Sequence, residues 1–463
     1  MQSLLHVDAP IFNLGQESPG QGVEETAKTK QGGHYKQDAH QGHVDAVALG
    51  NPRAYATKHS RLGAVEVHGA DRVKEAVHAA LAVGAGVAVV AGALECGTVL
   101  VAGGLVAGAL ESLARAALRG AGFGSAPSLE ILRDGDAVCA RTRLGLTQRV
   151  VLAGHLDTVP IADNVPGRFE ERDGQEVLWG RGSVDMLGGC AAALALACEV
   201  GAAIREGNDA MLNADVTWIF YDHEEVASHL NGLGRVQRNH PEWLAGDLAL
   251  LGEPTAAHVE GGCNGTLRVI AHFPGRAAHS ARAWMGVNAI HAMAPVIERI
   301  ASFGNPIEVV DGLEFRESLS VVRVEGGIAN NVIPEAASMT VNYRFAPSKR
   351  ADDALEWVRG LFEGTGATIE VDDLCEGARP GADSPVAERF LSVARRVADE
   401  AGVQLALSAK VGWTDVARFT QVGVPAMNFG PGDPLLAHTR DEHAPVSDIV
   451  RVHETLRAFL LAQ

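Results

Sequence analysis

Basic residues are in short supply in this chain: Lys and Arg number 39 against 57 Asp and Glu, a formal charge of −18 at pH 7. The deficit removes electrostatic support for a nucleic-acid or anionic-membrane partner, and it suits a protein that holds divalent cations. Paired cysteines are missing as well. Cys96, Cys139, Cys190, Cys198, Cys263 and Cys375 are scattered with no CxxC pair, which excludes a dense disulfide framework and reads as buried, reduced thiols of a cytoplasmic protein. A secretory signal is absent, since Met1 to Glu24 has neither a basic start nor a long apolar core.

The first quarter of the chain lacks pattern. Residues 1 to about 75 alternate Gly, His, Gln and Lys with no sustained period, and they read as disordered. From Ala76 to Leu110 only Glu95 is charged and glycines recur. That stretch is long enough to span a bilayer, but Glu95 near its centre and flanks without a basic cluster or aromatic belt speak against a span.

At 463 residues the chain exceeds one compact core, so at least two domains are expected. Leu129–Leu132 and Asp136–Arg141 look like edge strands around the turn Asp134-Gly135. Short, mostly apolar runs follow at Val150–Ala153, Val216–Tyr221, Leu248–Leu251 and Val424–Phe429, the first of them wholly apolar. Such runs are the signature of strands buried on both faces of a parallel sheet. Each is followed by an acid or a histidine: His155-Leu156-Asp157, Asp222-His223-Glu224-Glu225, Glu253, and His438 after Gly430-Pro431-Gly432. Open α/β sheets carry their ligand sites at the carboxyl ends of the strands, so four such deliveries point to one site.

Between about Gly261 and Val371 the order changes. A strand Thr266–His272, a helix Gly286–Phe303, strands Leu319–Val324 and Ala337–Phe345, a helix Ala351–Phe362 and a strand Thr368–Val371 give β-α-β-β-α-β, a ferredoxin-like sandwich. The expected architecture is a doubly wound, mostly parallel α/β catalytic domain, residues 110–260 and 374–463. It is interrupted by an α+β lid or dimerisation domain at 261–373, and residues 1–109 form an atypical extension.

The candidate metal ligands are His155, Asp185, Glu225, Glu253 and His438, with Asp157 and Glu224 as helpers. Two imidazoles with three carboxylates suit zinc, or cobalt or manganese. Five ligands exceed the needs of one tetrahedral ion, so one carboxylate would bridge two ions about 3.5–4 Å apart. Asp185, in the Gly-rich turn Gly180–Gly189, is the best bridge. Glu224 and Glu225 are adjacent and point in different directions on an extended segment, so one can bind metal while the other acts as general base.

Gly154-His-x-Asp-x-Val-Pro160, Gly180-Arg-Gly-x-x-Asp-Met-x-Gly-Gly189, Glu224-Glu225, Gly252-Glu-Pro-Thr255 and the late His438 resemble the M20 family of dinuclear metallopeptidases and deacylases. The stretches Phe220–Val226, Glu260–Val269, Ala278–Gly286 and Gly412–Phe419 are most similar to the branch that hydrolyses N-succinyl-LL-2,6-diaminopimelate to succinate and LL-diaminopimelate. The resemblance covers about 128–463. It implies a homodimeric amidohydrolase with two divalent ions, most simply zinc, acting on a small substrate with an acidic acyl group. His155, Asp185 and Glu253 would hold one ion, and Asp185, Glu225 and His438 the other; His438 is preferred over His443. Asp157 would orient His155, Glu224 would be the base, and the peptide after Asp185 would be cis. In the inserted domain His279 matches a residue that stabilises the oxyanion from across the dimer. Asn331 and Arg344 match substrate-binding positions, and Thr414 joins them from the catalytic domain.

Two departures carry expectations of their own. Cys263-Asn264 stands where some relatives have an arginine pair, so one carboxylate contact must come from elsewhere. The family's amino-terminal helix is not recognisable beyond the helical character of Glu111–Arg119, which suggests that residues 1 to about 105 stem from an over-extended gene start. The alternatives are another deacylase or dipeptidase of the family, such as an acetylornithine deacetylase, or a metal-binding but inactive homologue whose sheet is uncovered on one flank.

Overall fold

The computed structural model describes residues 107–208 and 211–461. The readings made for residues 1–106, Cys96 among them, lie outside the described residues. Seventeen strands are found in the described residues: β1 (Leu129–Asp134), β2 (Ala137–Thr142), β3 (Arg149–His155), β4 (Arg168–Arg172), β5 (Gln175–Trp179), β6 (Asp215–Tyr221), β7 (Leu248–Leu251), β8 (Val259–Gly261), β9 (Gly265–Pro274), β10 (Ile307–Val310), β11 (Leu313–Arg316), β12 (Ser318–Gly326), β13 (Ala336–Phe345), β14 (Thr368–Cys375), β15 (Leu407–Ala409), β16 (Ala426–Asn428) and β17 (His443–Pro445).

The apolar runs form the centre of an eight-stranded sheet in the order β1-β2-β6-β3-β7-β16-β8-β15, with β6, β3, β7 and β16 mutually parallel. Their lack of alternation has a direct cause. Val150, Leu152, Val216, Trp218, Phe220, Leu248 and Leu250 enter one core, while Val151, Ala153, Ile219, Tyr221, Ala249 and Leu251 enter a second core on the opposite face. Helices Leu187–Arg205, Pro385–Glu400 and Val446–Leu460 cover the first face, and Gly232–Asn239 and Val416–Gln421 the second. β2 is not an edge: it pairs antiparallel with β6 and buries Val138 and Ala140 on one face and Ala137 and Cys139 on the other, leaving β1 outermost.

The expected uncovered flank does not exist. Helix Ala107–Gly120 packs on the Leu187–Arg205 helix and on β2 and β6, with Leu110, Ala114, Ala117 and Leu118 all buried. Burying the two leucines alone contributes about 3–6 kcal/mol. Helix Leu187–Arg205 is the one described helix long and apolar enough to cross a membrane, and it lies in the core. Its small residues let it approach the sheet end: a Cβ on Gly189 would meet the Gly252 carbonyl oxygen at 2.1 Å. That contact brings the start of the helix, just after Asp185, against the segment that carries Glu253.

Residues 265–375 build a separate antiparallel sheet, β12-β13-β9-β14, with helices Ala294–Ala301 and Ala351–Gly360 on one face. Leu267, Val269, Ala271, Met339, Val341 and Tyr343 point into that helical core, so Arg268 and Arg344 take the opposite face. The expected helix from Gly286 to Phe303 is α-helical only from Ala294 to Ala301. Asn288 Oδ1 accepts the Ile290 and His291 amides and holds a local turn, and Pro295 starts the helix late. The hairpin β10-β11, turned by Asp311-Gly312 at φ 48° and 84°, is an element that the sequence reading omits.

Candidate active site

β3, β6, β7 and β16 are parallel and neighbouring, so their carboxyl ends share one rim, and there the loops bring together His155, Asp185, Glu225 and His438. His155 Nε2 lies 3.2 Å from Asp185 Oδ1, His438 Nε2 lies 3.2 Å from Asp185 Oδ2, and His438 Nε2 is 3.0 Å from Glu225 Oε1. One donor atom each of His155, Asp185 and Glu225 falls within 4.8 Å of the others. Asp185 thus stands between two imidazoles, one on each carboxylate oxygen. The peptide after it is cis, as the resemblance implies. His443 is elsewhere, on β17, with Nδ1 3.2 Å from Arg172 Nη1.

The donor set fits divalent cations. The His155 Nδ1–H donates to the Asp157 carbonyl at 2.9 Å, which in the neutral ring leaves the lone pair on Nε2, facing Asp185. Glu253 is 5% exposed and its Oε1 is buried without a hydrogen-bond partner. A buried carboxylate oxygen with no donor costs a large desolvation penalty that a cation removes. The Asp157 carboxylate does something sequence did not foretell: it accepts the amides of Glu224 and Glu225, each at 3.1 Å, while its Oδ1 is 3.7 Å from His155 Nδ1. It therefore fixes the backbone of the expected base and ligand at once.

Charge follows this crowding. Burial raises the Glu253 carboxyl to about 8, with Asp185 adding to the rise. Burial also holds Glu224 well above the usual carboxylate range, reinforced by Glu253, Asp415 and Glu225 and opposed by His155. Hydrogen bonds to Asp185 and then Glu225 raise His438 to about 10. For His155 burial opposes charging, but Asp185, Glu224 and Glu253 outweigh it and the ring titrates well above its ordinary value. Asp185 is held well below the usual range because its two histidine bonds outweigh burial.

A metal must displace these protons, since it binds neutral imidazole and ionised carboxylate. The apo protein is accordingly expected to release protons on binding metal at pH 7. Its affinity should rise with pH through about 8, where Glu253 ionises, and on toward about 10, where His438 does. Chelator competition from pH 6 to 9 measures this, and an affinity flat across that range would refute it.

A cleft of about 580 Å³ opens over the site. Asp185, Glu224, Glu225, Glu253, Thr414 and His438 form its catalytic side, and Thr266, Arg268, Arg344, Asp373 and Cys375 of the inserted sheet form its roof. Thr414 Oγ1 donates to Asn428 Oδ1 at 3.0 Å. Lys410, which the sequence reading passed over, is 8% exposed on the cleft wall, donating to the Pro254 carbonyl at 2.9 Å and pairing with Glu260 at 2.8 Å. His279 and Asn331 do not line the cleft. They are exposed neighbours at the far end of the inserted sheet, joined by the Ser280 amide donating to the Asn331 carbonyl at 2.9 Å.

A cluster of His, Asp and Glu, part-buried at the carboxyl rim of a parallel sheet and roofed by an inserted α+β sheet, is the arrangement of a metal-dependent amidohydrolase. Residues 151–462 match the model of peptidase family M20/M25/M40, and the chain belongs to the M20 peptidases. It is 48% identical over 335 residues, 72% of this chain and 88% of the relative, to a putative succinyl-diaminopimelate desuccinylase of Mycobacterium tuberculosis H37Rv. With a succinyl-diaminopimelate desuccinylase of Corynebacterium glutamicum it shares 45% over 337 residues, 72% and 86% of the two chains. The fold is also that of an M20 family metallo-carboxypeptidase from Sulfolobus solfataricus, with TM-score 0.62, 15% identity and 76% and 92% coverage. A Staphylococcus aureus tripeptidase gives TM-score 0.60 at 18% identity, covering 76% and 91%.

Proposed function

We propose that the chain hydrolyses the succinyl amide of N-succinyl-LL-2,6-diaminopimelate, releasing succinate and LL-diaminopimelate. The observation that carries the reading is Arg344. Its guanidinium is half-buried in the cleft and makes no hydrogen bond or ion pair among the described residues; burial depresses its pKa, with Asp373 opposing. A half-buried cation without a partner, facing a site of acids, is a receptor for a substrate carboxylate, which a guanidinium takes in bidentate fashion. The two relatives above, named for this reaction, support the same substrate.

His155, Asp185 and Glu253 hold one divalent ion in this reading, and Asp185, Glu225 and His438 the other, zinc being the simplest choice for such donors. When bound, the ions polarise the scissile carbonyl, acidify a water and draw the Glu224 and Glu253 carboxyls back to their ionised forms. Glu224, held by Asp157 through its own amide, takes the proton of the attacking water and delivers it to the leaving amide nitrogen. Thr414 contacts the substrate in its own chain's cleft, and Asn331, which sits beside His279 away from that cleft, contacts the substrate held by a second copy.

The oxyanion contact comes from a second copy. His279 is exposed and remote from its own cleft, beside exposed Trp284, Met285 and Ile328, and β12 offers an unpaired edge with Val322 and Val324 exposed. An unpaired edge and apolar patch of this kind suit a homodimer built through the inserted sheet.

The test pairs N-succinyl-LL-diaminopimelate with N-acetylornithine on the wild type and on Arg344→Met. The wild type should strongly prefer the succinyl substrate. Arg344→Met should lose about 10²-fold in kcat/KM on it, and far less on the acetyl one, because removing one partner of a desolvated charge pair costs about 2–5 kcal/mol. Equal losses on both substrates would remove Arg344 from acyl recognition, and a preference for acetylornithine would replace the proposed substrate.

A further inference from the structure

The loop that carries Asp185 leaves β5, which ends at Trp179, and the loop that carries His438 runs into β17, which begins at His443 and pairs with β5. Between the two loops lies Glu442, 0% exposed. Its Oε1 accepts the amides of Val184 and Asp185, each at 3.1 Å, and its Oε2 accepts Arg181 Nη1 at 2.6 Å. The Gly180 amide donates to its carbonyl at 3.0 Å. Arg181 is 2% exposed and its own amide donates to the Asn164 carbonyl at 2.9 Å, while Asn164 Nδ2 reaches the Thr439 carbonyl at 3.2 Å. All of these contacts cross from one loop to the other or brace one of the two.

Nothing in the proposed chemistry uses Glu442, and a buried ion pair is a costly way to hold two loops together, since apolar residues of the same volume serve stability as well or better. What apolar residues cannot supply is an acceptor for the amide of Asp185 itself. By fixing that amide and the one before it, the Glu442 carboxylate fixes the direction in which the Asp185 side chain leaves the backbone, and it does so from the loop that holds His438. We infer that Glu442, neutralised by Arg181, is a positioning residue that sets the two halves of the metal centre against each other and thereby sets metal affinity. The inference rests on the reading of Asp185 and His438 as ligands. Partners behind metal ligands of this kind typically change affinity by about 10–100-fold when removed.

Two double variants separate positioning from mere support. Arg181→Met with Glu442→Gln removes both charges but keeps an oxygen for the Val184 and Asp185 amides; Arg181→Met with Glu442→Ala removes the same charges and the acceptor. Zinc affinity is read by competition with a chromogenic chelator, and the visible spectrum of the cobalt-loaded protein reports the ligand geometry. The glutamine pair should bind zinc within about threefold of wild type, and the alanine pair about 10–100-fold more weakly with an altered cobalt spectrum. If the alanine pair does not fold, Glu442→Asp, which keeps the charge against Arg181 but draws the carboxylate back from the amides, should still show about a tenfold loss. Equal zinc affinity across the variants, with only melting temperature lowered, overturns the inference. A wild-type protein that binds no zinc overturns the metal centre itself, and the two failures are told apart by that measurement.

Discussion

Glu224→Gln is expected to lower kcat on the succinyl substrate by about 10²–10⁴-fold while leaving metal content and KM near wild type. The change is isosteric, and the contact that positions residue 224 is its backbone amide on Asp157 Oδ1, which glutamine keeps. Asp157 continues to hold the Glu225 amide as well, so the neighbouring ligand stays in place. What is lost is a proton acceptor in a buried position, where burial and the surrounding acids already make the carboxyl hold its proton tightly. Steady-state kinetics beside metal analysis of the same sample decides the matter. A variant that retains kcat within tenfold would move the base elsewhere in the cleft.

His279→Asn is expected to lose about 10²–10³-fold in kcat, the usual consequence of removing one oxyanion donor. Its recovery is the more telling result. His279 does not line the cleft of its own chain, so the proposed site takes Glu224 from one protomer and His279 from the other. Mixing and reassociating His279→Asn with Glu224→Gln should restore about one quarter of wild-type activity, because about half of the dimers are mixed and each mixed dimer carries one intact site of two. Activity no higher than the average of the two parents would mean that each site takes both residues from one chain, and a light-scattering mass of one chain would remove the dimer.

Much of this was readable before any coordinates. The short apolar runs at Val150, Val216 and Leu248 pointed to strands buried on both faces, and the polar residues that follow them marked the rim. The β-α-β-β-α-β order of the inserted segment was equally plain, because a ladder of alternating residues such as Leu267 to Phe273 has a period that few other structures share. The failures have local causes. The Gly286–Phe303 segment carries apolar residues at helical spacing, but Asn288 and Pro295 redirect its backbone before the period can act. The covering helix at Ala107–Gly120 was obscured because its apolar stripe merges with an uncharged, Gly-rich stretch in which no polar face stands out. β2 looked like an edge because its small residues do not announce two buried faces.

Sequence by itself determined which residue types reach the site, since a strand end and the few residues beyond it are linked by chain connectivity alone. Only the tertiary structure decided how they work together. That the Asp157 carboxylate takes two amides rather than the His155 ring, that Glu442 spans the loops of Asp185 and His438, that Lys410 braces the wall beside Glu253, and that Arg344 has no hydrogen-bond or ion-pair partner among the described residues all depend on contacts between segments tens to hundreds of residues apart. Such contacts are set by how the two cores pack and by which buried polar groups must find a partner once water is gone, and no local pattern in the chain encodes that choice.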